Sequence, residues 1–507
     1  MRRTCGWIGW ALCLCASLTV SAQDYPEDDE MILDLIREDG TQPETGAVPA
    51  AEFLRCNKAA WRMPGQYLVI LRPGTHESHV QRTIRRLRAK AARRGYLLEI
   101  LQTYSGALHG FLVKMSSDVL HLAVKLPHVH YIEEDSSIFA QSAPWNLQRL
   151  LQPHGGTSEN GTYKPPSMEY IRAALLASPV EAVVVLLPFV GGFSRSLNTA
   201  CRDMVANGAV VIAAAGNYRD DACLYSPASE PEVITVGAVN SADQLMSQGA
   251  GGTNFGRCVD LFAPGDDIVS ASSDCSTCFT SRSGTSQAAA HAAGVAAVIL
   301  SSNQNMSPVQ VLQTMLRYSV SNTINFLSLT DTHRLVTPNL VAAMPPDNST
   351  DVELLCRSVW SERSGVTSTD SAISRCRQGE EMMSCSSYAP DGVHAGETVT
   401  VNDGQMECVA YNGPGGKGVF AVARCCVVGG LRCQVHASPK PGQDAECVGL
   451  QHHLTGCTSW STAEILSGSR PHHGDRKRCV VKDGVTSDAV CCHAPVSGVS
   501  RVGKHVS

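Results

Sequence analysis

The chain has 507 residues, a formal net charge of −6 and 43% apolar residues, enough for two to four domains with cores of their own. So mildly acidic a balance gives no electrostatic footprint for nucleic acid, and no such partner is expected. Its 21 cysteines point to disulfides and an oxidising compartment.

Met1–Ala22 carries two arginines, a short apolar run and a small-residue end, the layout of a secretory signal peptide. No other stretch is apolar enough over the length of a bilayer, so no transmembrane segment is expected. The chain reads as secreted, passing through the endoplasmic reticulum and Golgi, and held in the former if it stays uncleaved. Residues 23–54 read as an acidic disordered arm, opening Gln23-Asp-Tyr-Pro-Glu-Asp-Asp-Glu30 and lacking an apolar period. Residues 55–141 then alternate strands and helices. Tyr67–Leu71 reads as a strand, and His76–Arg94 as a basic helix with Val80, Ile84, Leu87 and Ala91 on one face. Strands follow over 97–103 and 110–115, then a helix over Ser117–Leu126 and a strand over 129–134. The order βαββαβ predicts a ferredoxin-like α+β domain.

Residues 142–345 read as an α/β domain. Ala182–Pro188, 209–215 and Val233–Gly237 are fully apolar runs of the buried parallel kind. Helices near 196–206 and 286–301 alternate with them. Gly284-Thr-Ser286 opens an Ala-rich helix, and a helix N-terminus offers unpaired N–H groups and partial positive charge. A serine there is a candidate nucleophile beside oxyanion donors. A serine also needs a base, and between Ser142 and Ser286 the only histidine is His154. His291 lies five residues past the serine, turned away from it on the helix, and reads as a core histidine. Cys275 and Cys278 read as a small loop bridge and Cys223 with Cys258 as another. Cys56 and Cys201 are left as buried thiols.

From Cys356 the cysteines repeat. Residues 350–427 carry Cys356, Cys376, Cys385, Cys408, Cys425 and Cys426. Residues 431–494 carry Cys433, Cys447, Cys457, Cys479, Cys491 and Cys492, and 495–507 form a tail. Six cysteines allow 15 pairings, and the shared pattern implies one pairing used twice. These are binding or structural modules, each expected to fold on its own cysteines, with no metal site. His436, His452, His453, His472, His473 and His493 gather in the second, so acidification would make it more positive. Sequons place glycans at Asn160 and Asn348; Pro308 weighs against the one at Asn305.

The segments Ser281–His291, Ala209–Asn217, Gly252–Ile268, Asp221–Ser229, Gly110–Met115 and Tyr131–Ser137 resemble the subtilisin-like serine proteases, within them the secreted proprotein convertases. The resemblance implies an incomplete subtilisin-like parallel-sheet domain. An inhibitor-type prodomain would precede it and disulfide-rich β modules follow. It makes Ser286 the nucleophile, Asn217 the oxyanion donor and Gln141–Ser142 the self-cleavage bond of the zymogen. It pairs the cysteines of each module first with sixth, second with fifth and third with fourth. Calcium is the one ion it suggests. Its partners would be the chain's own prodomain and an EGF-like repeat of the low-density-lipoprotein receptor family, held by Val269, Asp274, Thr277 and Phe279. That link would tie the chain to receptor degradation and cholesterol metabolism. The departure lies between Pro166 and Met168, where the family's first core strand, catalytic Asp and His-Gly-Thr-His motif are missing. An endopeptidase that cuts itself once therefore competes with a non-catalytic receptor-binding or escort protein, and with a defective splice or gene-model product.

Overall fold

A computed structural model describes residues 51–96, 98–106, 108–140, 183–272, 278–345, 354–449, 451–461, 470–472, 474, 477–481 and 484–493. The signal peptide, nearly all of the arm and the 495–507 tail lie outside these residues. So do His154, Asn160 and Asn348. The chain divides into two compact units, one of residues 1–55 with 63–135, the other of 56–62 with 136–507.

In the first unit, β1 (Glu52–Leu54), β2 (Arg62–Leu71), β3 (Glu99–Tyr104), β4 (Gly110–Lys114) and β5 (Val129–Ser136) form one sheet, ordered β1-β5-β2-β4-β3. Helix α1 (Ser78–Ala92) lies between β2 and β3, and α2 (Ser117–Ala123) between β4 and β5. The last four strands and two helices are the βαββαβ unit read from the sequence. The extra strand β1, which falls in the segment read as disordered arm, runs parallel to β5. Val80, Ile84, Leu87 and Ala91 of α1 are buried, and they share a core with Val69, Phe111 and Val113. Helix α2 stops at Ala123, short of Leu126; Pro127 disfavours helical backbone at Leu126 itself.

The second unit begins with β6 (Ile138–Ala140), β7 (Val184–Leu187) and β8 (Phe189–Gly192), then α3 (Arg195–Ala206) and β9 (Val210–Ala214). Next come β10 (Tyr225–Ser226), β11 (Ile234–Val239), β12 (Ser247–Gln248), β13 (Gly251–Gly252), β14 (Leu261–Pro264), β15 (Ile268–Ala271) and β16 (Phe279–Arg282). Helices α4 (Thr285–Ser302) and α5 (Pro308–Tyr318), β17 (Val320–Ser321), α6 (Asp331–Val336) and β18 (Leu340–Val341) complete this part. The main sheet runs β17-β18-β14-β11-β9-β7. Its pairs from β7 to β18 are parallel, as the continuous apolar runs require. Helix α4 buries Ala288, Ala289, Ala292 and Ala296 in the same core as Ile212, Val236 and Leu261. Alanine lets helix and sheet approach closely. His291, read as a core residue, instead lies exposed on the opposite face of α4, its Nδ1 2.9 Å from the Gln287 carbonyl.

The first Cys-rich module holds β19 (Leu355–Trp360), β20 (Ser371–Arg375), β21 (Glu381–Tyr388), β22 (His394–Asn402), β23 (Gln405–Asn412) and β24 (Phe420–Val427). The second holds β25 (Arg432–Ala437), β26 (Ala445–Glu446), β27 (His453–Trp460), β28 (Arg470–Pro471), β29 (Arg478–Val480) and β30 (Thr486–His493). Cys356–Cys426, Cys376–Cys425 and Cys385–Cys408 bridge the first. Cys433–Cys492, Cys447–Cys491 and Cys457–Cys479 bridge the second in the same order.

The modules are not separate bodies. One sheet, β20-β23-β22-β27-β30-β25, runs through both. Its crossing point pairs Gly396 with Trp460. Gly396 has φ +97°, and a Cβ there would sit 1.9 Å from the Ser459 carbonyl oxygen, so only glycine admits the contact. Buried Asp488 of the second module accepts from Thr398 Oγ1 (2.6 Å) and Val399 N (3.0 Å) of the first, and from its own Thr458 Oγ1 (2.8 Å). The first module is likewise keyed to the α/β part. Arg377 Nη2 lies 2.8 Å from Asp260 Oδ1, both nearly buried. Gln313 of α5 donates to Glu380, which also takes both Arg357 donors, at 2.8 and 2.9 Å. Burial alone would raise the Glu380 carboxyl, but Arg357 outweighs it and holds Glu380 below the usual range.

Candidate active site

Ser286 occupies the first turn of α4 and is 5% exposed. The turn before it is locked to the end of β9. Thr285 N and Oγ1 both donate to Asn217 Oδ1 at 2.9 Å, while Gly216 N donates to Thr285 Oγ1 at 3.1 Å. Gly216 has φ +106°, and a Cβ would lie 2.4 Å from Asn254 Nδ2; glycine is required for β9 to turn here. With its oxygen held by two donors, the Asn217 carboxamide keeps its NH2 group as the donor side. That is what an oxyanion partner supplies, and the α4 N-terminus adds partial positive charge.

The Ser286 hydroxyl donates to the Pro188 carbonyl at 2.8 Å. A peptide carbonyl accepts that hydrogen bond without taking the proton, so this contact does not make an alkoxide. Pro188 leads into β8, and β6 lies antiparallel on β8 with Ala140 opposite Phe189, Phe139 opposite Val190 and Ile138 opposite Gly191. The chain's own segment thus lies along the strand that adjoins the serine. Gln141 and Ser142 follow directly and are outside the described residues.

The hairpin of β15 and β16 pairs Val269 with Ser281 and Ala271 with Phe279. Val269 is 69% and Phe279 75% exposed. Asp274, Cys275 and Thr277 lie outside the described residues, while Cys278 is disulfide-bonded. Cys223–Cys258 clamps the loop before β10, and Cys56 and Cys201 are buried thiols. Among the described residues, the one cluster of metal-ligand types is Cys376, Glu380 and Cys425. Its two sulfurs are bonded to each other and Glu380 is taken by Arg357. Calcium wants six to eight oxygens, so this cluster does not fit it. In the second module, the His452 and His493 rings lie 5.7 Å apart, tilted by 39°. His436 Nε2 and His452 Nδ1 are buried with no hydrogen-bond partner, so these two are not plain solvated histidines; His473 is outside the described residues. Sequence reasoning missed the contacts of Lys58 and Trp61 with the α/β part, since no local pattern links residues so far apart.

Three family profiles match in chain order. Residues 66–141 match the peptidase inhibitor I9 family, 188–341 the subtilase family, and 348–430 the proprotein convertase subtilisin-like/kexin type 9 C-terminal domain. A crystal structure of a cold adapted subtilisin-like serine proteinase is 32% identical over 36% of this chain and 61% of its own, with a TM-score of 0.31. This chain therefore spans less than two thirds of that relative. Prodomain, parallel-sheet domain and serine at the helix start thus follow the order of the matched profiles, an inhibitor-type prodomain before a subtilase-like parallel-sheet domain. Through residues 348–430 the chain is similar to proprotein convertase subtilisin-like/kexin type 9, whose C-terminal domain that profile describes.

Proposed function

We propose that this chain is a secreted, proteolytically silent relative of that convertase, acting by binding. The carrying observation is Ser286, set among oxyanion donors yet hydrogen-bonded to a backbone carbonyl instead of an imidazole. His291 faces away from it. Removing triad members leaves only about a thousandfold acceleration over water, too little to process a precursor during secretion. The chain enters the secretory pathway through Met1–Ala22, carries glycans at Asn160 and Asn348, and keeps its Gln141–Ser142 bond. Its ligand is an EGF-like repeat of the low-density-lipoprotein receptor family, held on the β15–β16 hairpin with Asp274 and Thr277. Exposed Phe279 is the anchor, since large aromatic side chains dominate such contacts.

Expression in an oxidising host, N-terminal sequencing and titration with the isolated EGF-like repeat test both halves. The expected product is one uncleaved chain, inert to a fluorophosphonate probe, that loses roughly tenfold or more in affinity on Phe279→Ala. A species starting at Ser142 that disappears on Ser286→Ala refutes silence. Unchanged binding by Phe279→Ala refutes the receptor face.

A further inference from the structure

Residues 56–62 join β1 to β2 in the sequence, yet they pack as part of the second unit. Lys58 Nζ lies 3.1 Å from Asp220 Oδ2 and 4.9 Å from the Tyr225 ring centroid. The Tyr225 hydroxyl donates to the same Asp220 oxygen at 2.9 Å. Trp61 sits 5.3 Å from Tyr218 and 6.1 Å from Tyr225, and those two tyrosines stack at 5.1 Å with planes 4° apart. Asn57 Nδ2 donates to the Leu224 carbonyl at 2.9 Å. Burial would raise the Asp220 carboxyl, but the Asp221 N–H, Lys58 and Tyr225 together bring it below its usual value. Asp220 is therefore a charged partner for Lys58 at neutral pH.

The same segment touches the strand beside the serine. Ser137 N donates to the Trp61 carbonyl at 2.8 Å, and Ile138 next to it starts β6. We infer that Lys58 and Trp61 form a clasp that holds β6 in register on β8, the strand that follows Pro188, whose carbonyl takes the Ser286 hydroxyl. The strand of three residues makes too few ladder bonds to be stable alone. The clasp fixes its entry by a backbone bond to the carbonyl of Trp61, which itself packs against the Tyr218 and Tyr225 rings. Because it engages residues before Gln141, the clasp persists whether the bond after Gln141 is intact or cut, and the inference does not depend on silence or on the receptor.

The ion pair is about one-third exposed on each side, so it contributes little by itself, and the aromatic contact carries most of the hold. Hydrogen–deuterium exchange on the full chain tests this. Trp61→Ala should speed exchange at Phe139, Ala140 and the facing β8 amides by roughly tenfold or more, with β9, β11 and β2–β4 unchanged. Trp61→Phe should restore most of the protection. Lys58→Met should give a smaller rise that high salt reproduces in the wild type. Unchanged β6 exchange in Trp61→Ala overturns the clasp. So does an equal rise across β9 and β11, which would make Trp61 ordinary core packing.

Discussion

Replacing Asp260 by Asn tests how tightly the first Cys-rich module is keyed to the α/β domain. Arg377 Nη2 donates to both Asp260 oxygens, at 2.8 and 2.9 Å, and to the Val233 carbonyl at 3.0 Å. The two side chains are only 6% and 9% exposed. Asn keeps an acceptor for the Thr235 N–H, which Asp260 Oδ2 holds at 2.8 Å, so the change removes the charge and the second acceptor that faces Arg377. A guanidinium stranded in this seam costs about 3–5 kcal/mol. The low end, about 3 kcal/mol, applies because Glu232 lies near enough to act on Arg377. For a body of this size that is a fall in Tm of roughly 4–5 °C. The double variant Asp260→Asn with Arg377→Met leaves no buried charge in the pair and should regain most of the loss, to within about 1 kcal/mol of wild type. Calorimetry of all four proteins in oxidising buffer measures the cycle. A shift under roughly 2 °C for Asp260→Asn, or a double variant as unstable as the two singles summed, refutes the key.

Glu397, beside Asp488 at the crossing of the two modules, has its carboxyl raised, first by burial, with the Ser387 hydroxyl and the Ser459 N–H opposing. A carboxyl raised in the fold adds stability below its usual value near 4.5 and loses it as pH climbs through the raised value. Glu397→Gln should therefore raise Tm at pH 7.4 and have no effect near pH 4. The opposite ordering in a thermal scan at the two pH values counts against that sign. Cys201 is buried and its thiol pushed far up by burial, then by Glu230. A maleimide should label it only after denaturation, and labelling of the native chain within minutes, read by mass spectrometry, contradicts this.

The parallel sheet was legible because its strands are buried on both faces, leaving uninterrupted runs such as Val210–Ala214. The basic helix was legible because Val80, Ile84, Leu87 and Ala91 repeat at helical spacing. The lock around Ser286 was half visible: Gly-Thr-Ser named the turn, but the bonds from Thr285 to Asn217 join residues 68 apart. Nothing local marks Asp488 as the acceptor that fastens two modules, or Arg377 as a buried ion. Both are polar residues whose burial comes from partners far along the chain, and periodicity reports only faces, not partners. His291 misled for a related reason. An alanine-rich helix that is apolar all round implies cover on every side, yet its outer face is exposed.

Among the described residues strand β7 ends the main sheet on one side, and Leu186 within it is 37% exposed. Among the described residues its outer edge presents peptide groups to whatever comes next, an open invitation to strand addition. Encounters between two such edges scale with the square of concentration, whereas folding does not. Crowding copies of the chain together would then turn one molecule's edge into a template for the next.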